Sequence, residues 1–303
     1  MKDANCYLCN DKNRWVLFTK KGYRICRCSR CGFIYTNPAP SNVQLEKFYK
    51  NFDYKNKNVA ELTIRSDAVR SLKKIIRFVG KGRRKILDIG CGRGFFLDEA
   101  HKLGWSVHGI DYSKNVIDYA TNNLNLNVKR ADMFNYDTEE LYDVVSLNQV
   151  IEHVTEPNRL VKICSRLLKN GGLLYIATPN FGSISAKVSG SDFDHLIPPE
   201  HLSYFDKESL TKLLKDNNFS IQYTGSWSYS VDLAGIIKNL LHRNKHSTKI
   251  STKRSVDLVG FNSQSRMKKI KYFFFDKLFC RIFYRILNFD SFGIMLDVVA
   301  VKK

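Results

Sequence analysis

The sequence predicts an α/β fold built on a doubly wound sheet, and three observations carry that expectation. Apolar runs of strand length alternate with helical patterns from about residue 84 to 230. Within them, residues 85–113 read KILDIGCGRGFFLDEAHKLGWSVHGIDYS, where a short apolar run enters a turn holding Gly90, Gly92 and Gly94. A helical pattern and a second apolar run ending on Asp111 follow, which together make one βαβ unit. Ahead of it stand two cysteine pairs, Cys6-x2-Cys9 and Cys28-x2-Cys31, which predict a small appended unit. A chain of 303 residues, 44% of them apolar, has room for one large core with such an appendage.

The cysteine unit is expected over residues 1–37. Its spacing suits four thiolates around a tetrahedral structural zinc ion, with Cys6, Cys9, Cys28 and Cys31 as ligands. Cys26 is a fifth cysteine that could replace Cys28. So few residues bury too little surface to hold a fold without the metal. A helical connector follows over 38–83, where Val69, Leu72, Ile75 and Ile76 recur at helical spacing.

The main domain is expected over 84–230. After the βαβ unit come a helix at Asn115 to Asn123, a strand at Val128 to Arg130 and a strand at Tyr142 to Leu147. A helix at Asn158 to Leu168, closed by Gly171-Gly172, precedes a buried strand at Leu173 to Thr178. A helix at Lys207 to Asp216 and a strand at Ser220 to Trp227 complete this part. Residues 231–290 read as an insertion: a polar, mobile loop over 242–266, then a basic amphipathic helix over 267–287. The last strand, Ile294 to Val301, lies in 291–303. Cys164 and Cys280 sit on apolar helix faces and read as core.

The glycine turn separates two ligand classes. A dinucleotide fingerprint G-x-G-x-x-G needs a third glycine at position 95, where Phe95 stands. The sequence is D-x-G-x-G-x-G from Asp88 to Gly94, and it resembles the class I methyltransferases that use S-adenosylmethionine (SAM). The resemblance covers about 84–230, and Ala131-Asp132-Met133, Asn148 and GGLLYIATPN stand in the family's order. It implies a Rossmann-like seven-stranded sheet with SAM as cofactor. It also implies that Gly90, Cys91, Gly92 and Gly94 cradle the methionine end beside Asp88. Asp111 and Tyr112 then meet the ribose, Asp132 and Met133 the adenine, and Asn148 the pocket wall.

A second resemblance extends over most of the chain. CSRCGFIYTNPAPSNVQLEKFY is similar to the start of a bacterial methyltransferase branch in which a zinc-binding region precedes the SAM domain. Many members of that branch serve sugar or surface-polysaccharide biosynthesis, which implies a small-molecule acceptor such as a sugar or lipid-linked glycan.

Methyl transfer to a hydroxyl, or to carbon beside a carbonyl, needs a base, and histidine suits the task at neutral pH. His153, in QVIEHV, follows the fourth strand at the carboxyl edge, where α/β folds bind ligands. PPEHLSYF resembles the branch's H-L-x-Y-F signature, which carries the proposed base of sugar C-methyltransferases over to His201. His195 has no motif behind it. The ubiquinone-biosynthesis O-methyltransferases are similar across the SAM domain and carry E-x-x-E-H here, associated with a divalent metal. In this chain Gln149 replaces the first carboxylate, so no catalytic metal is expected.

Charge is divided unevenly. Residues 1–83 carry a net +13, 84–230 a net −3 and 231–303 a net +10, within a total of +20. An anionic partner would therefore meet the flanks. A cationic ridge of Lys277, Arg281 and Arg285 along the aromatic 267–287 helix suits peripheral contact with an anionic membrane face, and an ordinary cover helix has the same pattern. With no signal peptide and no membrane span, a cytoplasmic protein is expected. Two other functions remain open. An RNA methyltransferase would use the basic first 83 residues with Trp15, Phe18 and Tyr23, although no N-P-P-[YF] motif follows the fourth strand. A non-catalytic SAM-binding protein would keep the glycine turn without turnover.

Overall fold

The computed structural model describes residues 3–41, 44, 61–228 and 293–303. The expected loop at 242–266 and basic helix at 267–287 lie outside the described residues.

Near the N-terminus, β1 (Arg14–Lys20), β2 (Tyr23–Cys28) and β3 (Ile34–Asn37) form an antiparallel meander. Helix α1 (Glu61–Val79) leads into the main sheet. There the chain runs β4 (Lys85–Ile89), α2 (Phe95–Lys102), β5 (Ser106–Asp111), α3 (Lys114–Leu124) and β6 (Val128–Arg130). It continues through β7 (Tyr142–Asn148), α4 (Pro157–Leu167), β8 (Leu168–Pro179) and the short α5 (Ile184–Ser189). A two-residue strand β9 (Ser203–Tyr204), α6 (Lys207–Asp216), β10 (Phe219–Trp227) and β11 (Met295–Lys302) complete the described fold.

The seven-stranded sheet has the order β10-β11-β8-β7-β4-β5-β6. Strands β4 to β8 pair in parallel, and β11 runs antiparallel between β8 and β10. Strand β4 has β5 on one side and β7 on the other, so the winding reverses between β4 and β7. Ligands of open α/β sheets bind at the carboxyl ends of the strands beside such a reversal.

Alternation along the central strands explains the two layers. Leu87, Ile89, Val145 and Leu147 face one core with Leu160, Val161, Cys164 and Leu167 of α4 and Leu210, Leu213 and Leu214 of α6. Ile86 and Val144 face the other, with Ala68, Leu72 and Ile75 of α1, Leu97 and Ala100 of α2, and Ile117 and Ala120 of α3. Parallel strands covered on both faces read as continuous apolar runs. Each fully buried Leu or Ile contributes about 1.5–3 kcal/mol.

Two local expectations need correction. Val69 is exposed, and Ala68 supplies that turn of the α1 stripe instead. Helix α4 ends at Leu167 and strand β8 begins at Leu168, ahead of Gly171-Gly172, because Leu168 already pairs with Tyr142.

The meander is joined to the rest of the molecule. Strand β9 adds to β3 as a fourth strand, with Ile34 opposite Tyr204 and Tyr35 opposite Ser203. Cys6, Cys28, Phe33 and Tyr35 enter the same core as α4 and α6, and the Phe33 ring lies 5.0 Å from that of Phe205.

Candidate active site

The glycine turn leaves β4 at the winding reversal. Gly90, Gly92 and Gly94 all have positive φ, at 74°, 52° and 80°. Gly90 has a further constraint, since a Cβ there would come within 2.5 Å of Val150. The turn thus packs against the segment leading to His153. A Cβ on Gly92 would meet nothing within 4 Å, so its backbone borders open space, as close approach to a ligand requires. Cys91 is buried and packs toward Leu97 and Gly109 in the second core, as a small apolar residue.

Asp88 is 2% exposed. Its Oδ1 accepts from Ser146 Oγ at 2.6 Å and from Asn148 Nδ2 at 3.1 Å. Burial nonetheless raises its pKa to about 7. A carboxyl so placed becomes an anion when a cationic ligand group arrives. Asp111 ends β5 and fastens the turn: Gly92 N–H donates to its Oδ2 at 3.0 Å and Ser113 N–H to its Oδ1 at 2.8 Å. Burial moves its pKa upward as well. Tyr112 is 45% exposed, with Arg130 5.7 Å over its ring. Asp132 is exposed and accepts from Phe134 N–H at 2.9 Å and Asn135 Nδ2 at 2.8 Å, an Asx-type turn after β6. Met133 packs against the first core.

The expected histidines meet. His153 stands in a one-turn 3-10 helix (Ile151–His153) after β7, and His201 immediately precedes β9's first neighbour Leu202. Their rings are 4.9 Å apart at 76°. His153 Nδ1 lies 2.8 Å from the Glu200 carbonyl, and His201 Nδ1 lies 2.7 Å from the His195 carbonyl. A carbonyl only accepts, so each Nδ1 carries the proton; His153 is engaged a second time, by the Gln149 backbone, whereas His201 has its Nε2 left as an acceptor. Burial lowers the pKa of both rings, and for His201 the neighbouring imidazoles His153 and His195 add to it. His195, without a motif of its own, is drawn in through its carbonyl and its ring, 6.2 Å from that of His201.

Sequence reasoning missed Glu152. It is 1% exposed; its Oε2 accepts from Thr178 Oγ1 at 2.9 Å, and its Oε1 has no partner among the described residues. Burial raises its pKa to about 8. One donor atom each of Glu152, His153 and His201 lie within 4.8 Å of one another. The only local signal was its place beside His153. Gln149, which stands where the ubiquinone enzymes carry a carboxylate, meets the cluster through its backbone, hydrogen-bonded to His153.

The four cysteines also meet. Atoms Sγ of Cys6, Cys9, Cys28 and Cys31 lie within 4.8 Å of one another, with Cys6–Cys31 at 3.5 Å and Cys9–Cys28 at 3.4 Å. A zinc–sulfur bond of about 2.3 Å in a tetrahedron puts sulfurs about 3.8 Å apart, so the donor set fits zinc. Cys26 is outside the cluster, which resolves the sequence alternative in favour of Cys28. Cys26 and Cys28, two residues apart on β2, share a face, and what distinguishes Cys28 is that it lies where the chain turns: its N–H donates to the Phe33 carbonyl and its carbonyl accepts from Gly32 N–H.

A glycine turn at the winding reversal, with a buried acid behind it and an acid ending the next strand, is the arrangement of SAM-dependent α/β methyltransferases. A family model described as a methyltransferase domain matches residues 64–224, and the chain belongs to that family. It is 31% identical over 169 residues to a ubiquinone biosynthesis O-methyltransferase of Pelagibacter ubique, covering 49% of this chain and 70% of that one. Another of that name, from Coxiella burnetii, is 34% identical over 107 residues, and there the chain spans only 45% of the relative's length. Solved structures share the fold. A SAM-dependent methyltransferase from Archaeoglobus fulgidus superposes with a TM-score of 0.51 at 21% identity, over 78% of this chain and 94% of that one. Phosphoethanolamine N-methyltransferase 2 of Haemonchus contortus, in complex with SAM, gives 0.52 at 18% identity, over 89% and 61%.

Proposed function

We propose that this protein transfers the methyl group of SAM to a hydroxyl of a small-molecule acceptor, with the His153–His201 pair supplying the base. The observation that carries the reading is that pair: two imidazoles in contact and held neutral, with the Nδ1 of His201 tied to the His195 carbonyl, beside the strand ends where the sheet reverses its winding. When SAM is bound, its sulfonium supplies an electrophilic methyl carbon. The chain's own residues do the rest. Asp88 faces the ammonium, the glycine turn leaves room for the amino acid end, and Asp111 holds the turn. His201 takes the acceptor proton at Nε2 as the oxygen attacks.

Three acceptor classes have support. The relatives' names point to a ubiquinone-type phenol, whereas the PPEHLSYF segment favours a sugar through its resemblance alone. Trp15, 70% exposed and directly opposite Arg27 across β1 and β2, favours RNA as a further acceptor. Of the other two aromatics that suited RNA, Tyr23 is buried and Phe18 packs inward against Ile25's core. We also propose that zinc fills the four-cysteine cluster, since its sulfur spacing fits that ion.

The test is calorimetry with S-adenosylhomocysteine, followed by transfer of a labelled methyl group from SAM to polyprenylated catechols, nucleotide sugars and RNA. Binding lost in Asp111→Ala, together with transfer that disappears in His201→Asn, supports the reading. Failure of the wild-type protein to bind the product would overturn it.

A further inference from the structure

The cysteine unit and the candidate base are far apart in sequence yet share backbone. Strand β9, which follows His201 by one residue, is the fourth strand of the cysteine unit's sheet. Thr36 of β3, fully buried, carries the connection. Its N–H donates to the Leu202 carbonyl at 2.8 Å, and its Oγ1 donates to the His201 carbonyl at 3.1 Å. Tyr204 Oη donates to the same His201 carbonyl at 2.8 Å, and its oxygen lies 3.1 Å from Thr36 Oγ1. Thr36 is itself held, because Tyr7 Oη donates to its carbonyl at 2.7 Å from the loop between Cys6 and Cys9. On the other side Leu202 N–H donates to the Glu152 carbonyl at 2.8 Å, and Ser203 Oγ to the Val154 carbonyl at 2.8 Å. Residues 201–203 are therefore pinned between the cysteine unit and the segment bearing His153.

We propose that Thr36 is a positioning residue for His201, and that the cysteine unit serves as the frame that holds the strand carrying the base. This rests on the reading of His201 as the base.

The physical argument is one of degrees of freedom. His201 precedes a strand of only two residues, and strands that short hold poorly without partners on a sheet. Its ring orientation depends on the Nδ1–H bond to the His195 carbonyl, and that bond needs the backbone of His201 to stay put. The carbonyl of His201 accepts two hydroxyls, both buried, so removing one leaves the other partner and loosens the peptide without opening a cavity. The reach of the unit thus ends at the base itself, which gives a structural reason for a metal-fitted module on this enzyme.

The test uses the full zinc-loaded chain labelled with 15N-histidine, with the His201 signals assigned by their loss in His201→Asn. Nitrogen–proton correlation spectra read the tautomer of each ring. The wild type should show His201 as a single form, protonated at Nδ1 and bare at Nε2. Thr36→Val should collapse that signature toward an average of the two nitrogens, and Thr36→Ser, which restores the hydroxyl, should recover it. Calorimetry with S-adenosylhomocysteine on each variant should stay within about twofold of wild type, because the SAM pocket is built from other residues. Should Thr36→Val fail to fold, Tyr204→Phe takes its place, since it removes the second hydroxyl while keeping the ring. A single-tautomer His201 in a folded Thr36→Val or Tyr204→Phe variant, or no recovery in Thr36→Ser, would overturn the proposal. The functional reading fails separately, through absent product binding by the wild type, and leaves the tautomer result to stand alone.

Discussion

Asp88 and Asn148 meet at 3.1 Å across the two strands between which the sheet reverses its winding. Their contact places a buried carboxyl and a neutral amide donor at the one point of the sheet where neighbouring loops diverge and leave room for a ligand.

The first prediction concerns that carboxyl. Its pKa of about 7 lies above its ordinary value, so the folded protein holds a proton there between roughly pH 4 and 7 that the unfolded chain does not. The stability this contributes is present at low pH and is lost as pH rises through 7. A ligand ammonium favours the carboxylate, so SAM binding at pH 6 should release a proton. Affinity should rise by up to about tenfold per pH unit below 7 and flatten above it. Calorimetry in buffers of different ionisation heat measures the proton count. No release at pH 6 would remove Asp88 from the ammonium.

Acid should act on the histidines in the opposite sense. His153 and His201 have pKa values lowered by burial, so the unfolded chain binds more protons than the folded one below about pH 6.5. Stability from each is present above that pH and falls by about 1.4 kcal/mol per unit as pH drops further. Asp88 and Glu152, with raised pKa values, gain stability over the same range, so the check is a difference: from pH 7 to 5 the wild-type midpoint should fall relative to that of His201→Asn. Thermal scans across that range check it.

The cysteine cluster predicts a sharp difference between neighbours. Cys28→Ser should lose bound zinc, whereas Cys26→Ser should retain about one zinc per chain, because only Cys28 lies with the other three sulfurs. Metal content by mass spectrometry reads this directly, and equal loss in both variants would contradict the assignment.

Asp297 of β11 is the fourth case. It is fully buried, pairs with Lys74 of α1, and accepts from Tyr175 Oη at 2.9 Å and Trp227 Nε1 at 3.1 Å. Asp297→Ala would remove the carboxylate partner of Lys74 from a buried site, at a cost of about 3–5 kcal/mol. Denaturant titration should show that loss with S-adenosylhomocysteine affinity retained in the folded fraction.

Local chemistry decided which parts were legible in the sequence. The glycine turn, the acid ending β5 and the two cysteine pairs are short-range patterns, and each lies where its spacing placed it. Helix α6 was readable from its apolar period, and Asp206 caps it by accepting from Ser209 N–H. Strand β9 has two residues and no periodicity to read. Thr36 carries no local signal either, because its partner stands 165 residues away. Glu152 was hidden for a different reason. A lone carboxylate in sequence looks solvated, and only tertiary packing shows that one of its oxygens faces no donor. Cys26 and Cys28 were indistinguishable by spacing and share a face of β2, two residues apart, so only the position of the other three sulfurs, at the turn that Cys28 begins, separates them.

Strand β11 occupies an interior place between β8 and β10, although it follows both in the chain. During synthesis, therefore, the sheet has a gap until the ribosome has released residues 295–302. Until then β8 presents an unpaired apolar edge, and β10 has no strand to join. A nascent chain stalled before β11 would be a client for chaperones, and loss of these few residues would act on the yield of protein in the cell before it acted on any reaction rate.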